Sequence, residues 1–361
     1  FIVIGLALIP GIAMSFIVAA LIFDHRPAYK LPVILSDISI LIAAHNEEEY
    51  IAQTLKSICE QNYPGQVEVI VIDDGSEDKT YQVAEDFARC HECTVTVKTL
   101  RVEKNAGKAN ALNLGLAQAS HDLLITIDAD TFLYKKALEN IVSNILAGPD
   151  NTAAVAGTVL VHNSRKNLIT KMQEWDYFHG IAVIKRIQSL FQGTLVAQGA
   201  FSVYRKAAVQ ELGGWPDTVG EDIVLTWGLQ EKGYRIGYAE NAFVFTNVPD
   251  TYARFFRQRK RWSRGLMEAF KRHPRLLRKI KLNSIFVWLN LTFPYIDFVY
   301  LFVFLPGLVA AIFFQFYAIV GLMTVLLLPL ALLINWLIYF KQTAIFRANG
   351  CLLYTSDAAD E

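Results

Sequence analysis

Apolar residues fall into two patterns along the chain. In its middle they form short runs that stop at polar turns, and at both ends they form long stretches with almost no charge. Ile38-Ser39-Ile40-Leu41-Ile42-Ala43-Ala44 stops at His45-Asn46-Glu47-Glu48, and Val67 to Ile72 stops at Asp73-Asp74-Gly75-Ser76. Leu123-Leu124-Ile125-Thr126-Ile127 stops at Asp128-Ala129-Asp130. Each run is too short for a helix and rich in Ile or Val, so each predicts a buried strand. The stretches Glu49 to Glu60 and Thr80 to Arg89 between them read as helices. Strand alternating with helix predicts an α/β domain built on a mainly parallel, doubly wound sheet. Ligands bind such sheets beyond the carboxyl ends of the strands. Asn46, Asp73, Asp74, Asp128 and Asp130 are therefore expected to converge on one edge.

The long apolar stretches predict membrane segments. Phe1 to Phe23 carries no charge and would span about 34 Å as a helix, enough to cross a bilayer. It lacks the short core and cleavage site of a secretory signal and reads as an uncleaved span. The chain starts at Phe rather than Met, so upstream residues are expected to be missing. His25, Arg26 and Lys30 follow and place that end in the cytoplasm. Ile285 to Phe340 contains one charge, Asp297. It has room for two spans or three, with two preferred because they return Lys341 and Arg347 to the cytoplasmic side. A very apolar soluble core would need polar faces interleaved with shorter segments.

The expected organisation is a transmembrane helix over 1–23, a linker over 24–37, a cytoplasmic catalytic domain over 38–253 and a basic interface segment over 254–283. The second membrane block covers 284–340 and a cytoplasmic tail 341–361. Residues 351–361 break the pattern and resemble a translated sequencing adapter. Arg254 to Lys281 holds twelve Lys or Arg against one acid, Glu268. Trp262, Leu266, Met267 and Phe270 recur there at helical spacing, predicting a basic amphipathic helix at a membrane surface. A nucleic-acid site is the competing reading of such a run. Its position beside a membrane span argues against it, so no nucleic-acid partner is expected. Across the whole chain 34 basic side chains balance 34 acidic ones.

Candidate chemistry follows from the turns. Two carboxylates one residue apart at a strand's end suit a hard cation, Mg2+ or Mn2+, that shares its coordination with a diphosphate. A solvated Asp-capped turn is the alternative. Lys108 follows Gly107, which allows close backbone approach, and can bring positive charge to phosphates. The sequence there is not a Walker loop, and a solvated lysine at a helix start is the bland alternative. Of the four cysteines only Cys90 and Cys93 are close in sequence. With no further ligands nearby they read as reduced thiols rather than a zinc site.

The chain resembles the processive family 2 glycosyltransferases, membrane enzymes that make cellulose, chitin, hyaluronan and poly-N-acetylglucosamine. The matching pieces are Ala44-His45-Asn46-Glu47-Glu48, Asp73-Asp74-Gly75-Ser76, Asn105 to Asn113, Asp128-Ala129-Asp130, Gly220-Glu221-Asp222 and Gln258-Arg259-Lys260-Arg261-Trp262. The family often has Thr where Gly220 stands, and Pro at Ala43 or Ala44. The resemblance implies a GT-A (nucleotide-diphospho-sugar transferase) domain with a mixed, mainly parallel sheet, flanked by transmembrane and amphipathic interface helices. It implies substrate binding by Ala44, Asn46, Glu47, Asp73, Asp74, Lys108 and Asp128, with Asp128 and Asp130 on the metal. It assigns catalysis to Asp222, with Glu221 beside it as the next candidate, although helix capping alone also explains a carboxylate there. Gln198 and Gly199 stand where relatives hold the acceptor sugar. Gln258, Arg261 and Trp262 belong to the acceptor side, where Trp262 offers a stacking face and Arg261 can grip a diphosphate.

The expected activity is inverting transfer of a sugar, N-acetylglucosamine for preference, from a UDP donor to a growing polysaccharide. The setting is the bacterial inner (plasma) membrane, in contact with lipids and with room for accessory membrane or export subunits. The motif set looks closest to the branch that makes poly-β-1,6-N-acetylglucosamine, a biofilm exopolysaccharide. Two alternatives remain: a single transfer to a lipid acceptor, as in glucosylceramide synthases, and a membrane protein that binds nucleotide sugar without turnover.

Overall fold

In the computed structural model, residues 16, 19–20, 35–90, 93–191, 193–279, 284–321, 327–348 and 350–351 are described. The expected first span, its linker and the adapter-like end therefore lie almost wholly outside the described residues. Two compact units emerge, residues 27–278 and residues 1–26 with 279–361.

The unit 27–278 holds one eight-stranded sheet. Its strands are β1 (Ile38–Ala44), β2 (Val67–Asp74), β3 (Thr96–Val102), β4 (Leu123–Ile127), β5 (Thr131–Leu133), β6 (Thr152–Val161), β7 (Phe201–Arg205) and β8 (Arg235–Thr246). Their order is β3-β2-β1-β4-β7-β6-β8-β5. β3, β2, β1 and β4 run parallel, as the alternation predicted. β7 then enters antiparallel between β4 and β6, so the second half of the sheet is mixed.

The parallel half is apolar because helices cover both of its faces. Ile38, Ile40 and Ile42 point to one core with Ile51, Leu55 and Ile58 of α1 (Ile51–Cys59). Leu41, Ile70 and Ile72 point to the other, with Leu112 and Leu116 of α3 (Lys108–Gln118). Between α1 and α3 lies α2 (Thr80–Cys90), and α4 (Ala137–Ala147) backs the far half of the sheet. α5 (Leu168–Trp175) leads into a π-helical turn, Asp176–Ala182, and then α6 (Val183–Leu190). α7 (Lys206–Glu211) and α8 (Glu221–Lys232) precede β8, and α9 (Tyr252–Arg272) ends the unit.

The basic amphipathic helix is present as α9, and it is part of this unit. Its buried positions are Gly265 and Ala269, whereas Trp262 and Met267 are exposed. Small residues lie where α9 meets the start of α8 backbone to backbone, and Phe270 packs edge-on against the buried Trp227 of α8 at 4.9 Å. A Cβ on Gly265 would sit 2.9 Å from Gly220 Cα.

Cys59 at the end of α1 is joined by a disulfide to Cys93, with Cα atoms 5.7 Å apart. The reading of Cys93 as a reduced thiol is corrected; its partner is 34 residues away in sequence, and the fold brings α1 alongside the loop before β3. Cys90 is free and exposed, as expected.

Among the described residues, the other unit contains two helices long and apolar enough to cross a membrane. Ser284–Phe314 is continuous through α10 (Ser284–Val299), a π-helical turn at Tyr300–Phe304 and α11 (Leu305–Phe314). Pro294 lies inside it, and its 31 residues would span about 46 Å. Pro329–Ala348 lies within α12 (Leu327–Ala348).

One buried charge ties the parallel strands together. Glu68 of β2 accepts hydrogen bonds from Ser39 of β1, from the Ser120 N–H and hydroxyl ahead of β4, and from Lys98 of β3. Burial alone would raise its carboxyl pKa, but these donors hold it down to about 2. Because the folded value is depressed, the stability Glu68 contributes is present above pH 4.5 and lost as pH falls toward 2. Glu68→Gln is expected to cost about 2 kcal/mol at pH 7 and to flatten the acid limb of a denaturation series between pH 5 and pH 2. An unchanged acid limb would remove Glu68 from this role.

Candidate active site

The turns after β1, β2 and β4 meet at the carboxyl edge of the sheet, and each is held by the next. Asn46 adopts a left-handed conformation, φ 58°. Its N–H donates to Ser76 Oγ and its Oδ1 accepts from the Glu77 N–H, both at 2.9 Å. The Glu47 N–H donates to Thr80 Oγ1 at 2.7 Å, and His45 Nδ1 lies 2.9 Å from the Asp74 carbonyl. The turn after β1 is thereby fixed on the turn after β2.

Asp73 and Asp74 are both buried. Asp74 accepts from the Ala106 N–H at 2.8 Å and the Gly107 N–H at 2.9 Å, so its carboxylate shapes the backbone ahead of α3. Asp73 caps the Ser76 N–H at 3.3 Å and faces Arg101 at 3.4 Å. Ala44 is buried as well. Asp73 and Asp74 thus hold the loops that border the site.

Gly107, at φ 93°, precedes α3 with open space around it, and Lys108 follows as the first helical residue. The Lys108 ammonium is ion-paired with Asp128 and lies 3.7 Å from Glu221 Oε1. Burial would lower its pKa, but Asp128 and then Glu221 more than offset this and raise it. Lys108 is therefore a partnered cation and not a solvated helix-start lysine.

The Asp128-Ala129-Asp130 turn is held from α1, where Thr54 Oγ1 donates to the Ala129 carbonyl at 2.7 Å. Thr246 Oγ1 at the end of β8 reaches Asp130 Oδ1 at 3.3 Å. Burial first and Asp128 second push the Asp130 carboxyl up to about 6. Burial, then Asp130 and Asp128, push Glu47 up to about 7. Negative charge is thus in excess on this side of the site.

Across Lys108 stands the start of α8. Gly220, φ 79°, turns the chain so that Glu221 and Asp222 open the helix. Asp222 Oδ2 accepts the Gly199 N–H at 3.1 Å, and Oδ1 accepts its neighbour Ile223's N–H at 2.7 Å. Burial raises the Glu221 carboxyl against the opposing pull of Lys108. Gln198 donates to the Gly157 carbonyl at 2.8 Å. A Cβ on Gly199 would stand 2.7 Å from Lys108 Nζ, so a side chain here would displace the Lys108 ammonium. Gly199, Lys108, Glu221, Asp222 and Asp128 share one locality, as the expected site requires.

On α9, Gln258 has a buried, unpartnered Oε1, Arg261 is exposed and the Trp262 ring is 38% exposed. Tyr177 connects this helix to the carboxylates. Its ring lies 6.2 Å from that of Trp262, and burial raises its hydroxyl pKa, with Arg259 opposing and Asp176, Asp130 and Asp128 adding to the rise. Tyr177 did not stand out in the sequence, because nothing around it distinguishes it from a packing aromatic. The same holds for Lys185, whose buried amine makes no hydrogen bond and is lowered to about 7 by burial, with Asp222 opposing.

The model of family 2 glycosyl transferases matches residues 39–213. A poly-β-1,6-N-acetyl-D-glucosamine synthase of Staphylococcus epidermidis is 34% identical over 270 residues, covering 73% of this chain and 64% of that protein. A second synthase of that name and species is 32% identical over 289 residues, covering 77% and 68%. This chain belongs to the family 2 glycosyltransferases. The family 2 domain also shares its fold with the mannosyltransferase PcManGT of Pyrobaculum calidifontis, solved with GDP-Man and Mn2+. That match has a TM-score of 0.62 and 23% identity and covers 75% of this chain and 74% of that one.

The donor chemistry of the family 2 site fits a hard divalent cation. Among the described residues no three His, Cys, Asp or Glu side chains gather closely enough to hold a metal by themselves. Asp128 and Asp130 would supply oxygens, and a cation there would offset both the burial and the Asp128 charge that raise the Asp130 carboxyl. Since the Asp130 carboxyl is raised, its charge destabilises the fold as pH climbs from about 4 past 6. Asp130→Asn is accordingly expected to raise the melting temperature of chelator-treated protein at pH 8 by roughly 2–4 °C, and to abolish the further rise on adding Mn2+. A Mn2+-dependent rise that survives in Asp130→Asn would exclude Asp130 as a ligand.

Proposed function

We propose that the chain is the catalytic part of a membrane-embedded, inverting polysaccharide synthase. It transfers N-acetylglucosamine from a UDP donor to the non-reducing end of the growing chain. The observation that carries this reading is the division of charge across Lys108. Glu47, Asp128 and Asp130 crowd one side, and Asp222 stands on the other with one oxygen oriented by Gly199.

Glycosyl transfer with inversion needs such a division. Asp222 takes the proton of the acceptor hydroxyl while that oxygen attacks the anomeric carbon. The bond from that carbon to the diphosphate breaks on the opposite side, and the diphosphate leaves with the electron pair. Lys108 places a fixed positive charge beside the leaving group. Asp128 and Asp130 would hold Mg2+ or Mn2+, whose charge would offset that on the diphosphate. Trp262 and Arg261 flank the acceptor side, with Gln198 and Gly199 close to the hydroxyl that reacts.

The two apolar helices and the basic face of α9 support a place in the plasma membrane with the catalytic domain in the cytoplasm. The two S. epidermidis relatives, named for their polymer, support N-acetylglucosamine and a polysaccharide acceptor.

Membranes carrying the protein should incorporate label from UDP-N-acetylglucosamine into high-molecular-weight product. Clear incorporation from UDP-glucose alone would overturn the donor assignment, and short lipid-extractable product would replace the polymer with a lipid acceptor. Asp222→Asn is expected to lower turnover on the order of 100- to 10,000-fold with little change in UDP affinity. Near-normal turnover would transfer the base role to Glu221, and lost UDP binding would place Asp222 on the donor side.

A further inference from the structure

We propose that Asp176 and Arg259 form a clamp that sets the Trp262 ring for the acceptor sugar; this rests on the acceptor-side reading of Trp262 given above. Three residues of α9 form a row along one helical face: Phe255, Arg259 four positions on, and Trp262 three further. The Arg259 guanidinium carbon lies 4.9 Å from the Phe255 ring centre and 4.4 Å from that of Trp262. It covers one face of the indole, and the ring's remaining exposure is left for a ligand.

An arginine on a helix surface would ordinarily sample several rotamers. Here it is anchored from a different element. Arg259 Nη2 donates to Asp176 Oδ2 at 2.5 Å. Asp176 opens the π-helical turn between α5 and α6. The same turn delivers Tyr177, tilted 49° to the Trp262 ring. Gly180 completes it, since a Cβ there would sit 2.8 Å from Asp176 Oδ1. The π turn therefore supplies the anion that fixes Arg259, the second ring beside Trp262 and the space the anion needs.

The pair is poorly arranged for stability. Its side chains are 28% and 41% exposed, and such pairs contribute little. Arg259 Nε is buried without a hydrogen-bond acceptor, which costs free energy. A geometry that sacrifices a buried donor to hold a guanidinium over an indole is accounted for by placement of the ring. Arg259 and Asp176 are thus positioning residues, acting on the sugar through Trp262.

The test is direct binding of an N-acetylglucosamine oligosaccharide to the full-length protein in detergent, by calorimetry and without donor, alongside UDP binding. Asp176→Asn and Arg259→Lys should each weaken oligosaccharide binding about 10-fold, the scale expected for loss of placement, and leave UDP affinity within about twofold. The double variant should be no weaker than the weaker single one, because both break the same clamp. Gly180→Ala touches neither Arg259 nor Trp262 and should weaken oligosaccharide binding in the same direction by crowding Asp176. Unchanged oligosaccharide affinity in the variants, additive losses in the double variant, or equal losses of UDP and oligosaccharide would each overturn the clamp, as would failure of the parent protein to bind the oligosaccharide. A parent that fails to bind overturns the acceptor-sugar reading and the clamp with it, whereas a parent that binds and variants that bind equally well overturn the clamp alone.

Discussion

The ammonium of Lys108 stands between carboxylates that would otherwise repel one another across a shared, partly buried space. Asp128 on one side and Glu221 on the other are within its reach, and Asp222 adds to its field. Its position is set in turn by Asp74, which ties down the two backbone N–H groups ahead of α3. Asp74 itself ends a strand that is buried along its whole length. A strand end, a bent loop and one cation thus form a single dependency. Loss of the buried Asp74 would disorganise charges that it never touches.

Much of this was legible in the sequence, for a physical reason. Parallel strands buried on both faces must be apolar along their length, so their ends are marked wherever polarity returns. Ala44, Asp74 and Ile127 are such ends, and the turns that follow them carry Asn46, Gly75 and Asp128. The helix opened by Asp222 was legible too, because acids favour helix starts. What could not be read was the use of each carboxylate. Asp74 and Asp128 both follow apolar runs and look equivalent, yet one spends its oxygens on backbone N–H groups and the other faces Lys108. That difference lies in the loop geometry of residues 105–107, which no local pattern encodes.

The remaining surprises came from contacts between elements distant in sequence. The mixed half of the sheet arises because β7 inserts between β4 and β6, and strand order carries no hydrophobic signature. Cys59 meets Cys93 only once α1 and β3 are in place. In α9 the apolar Phe270 does pack inward, on Trp227 of α8, but the fully buried positions are Gly265 and Ala269. Small residues signal close approach only when the partner, here Gly220, is known.

The π turn at Asp176–Ala182 also works as a phase shift. Upstream, Leu168, Met172 and Trp175 form an exposed stripe at spacings of four and three. In an unbroken α-helix that stripe would run on through residues 182 and 186, yet Ala182 and Arg186 are buried. One surplus residue rotates everything after it by about 100°. Upstream of the turn the segment is exposed along that stripe, and downstream it is buried almost all round, at Val183, Lys185, Arg186, Ile187, Gln188 and Ser189. The length of this segment is consequently as informative as its composition. Removing one residue from the turn would preserve helicity and nearly all apolar content while turning Arg186 away from its ion pair with Glu240 of β8.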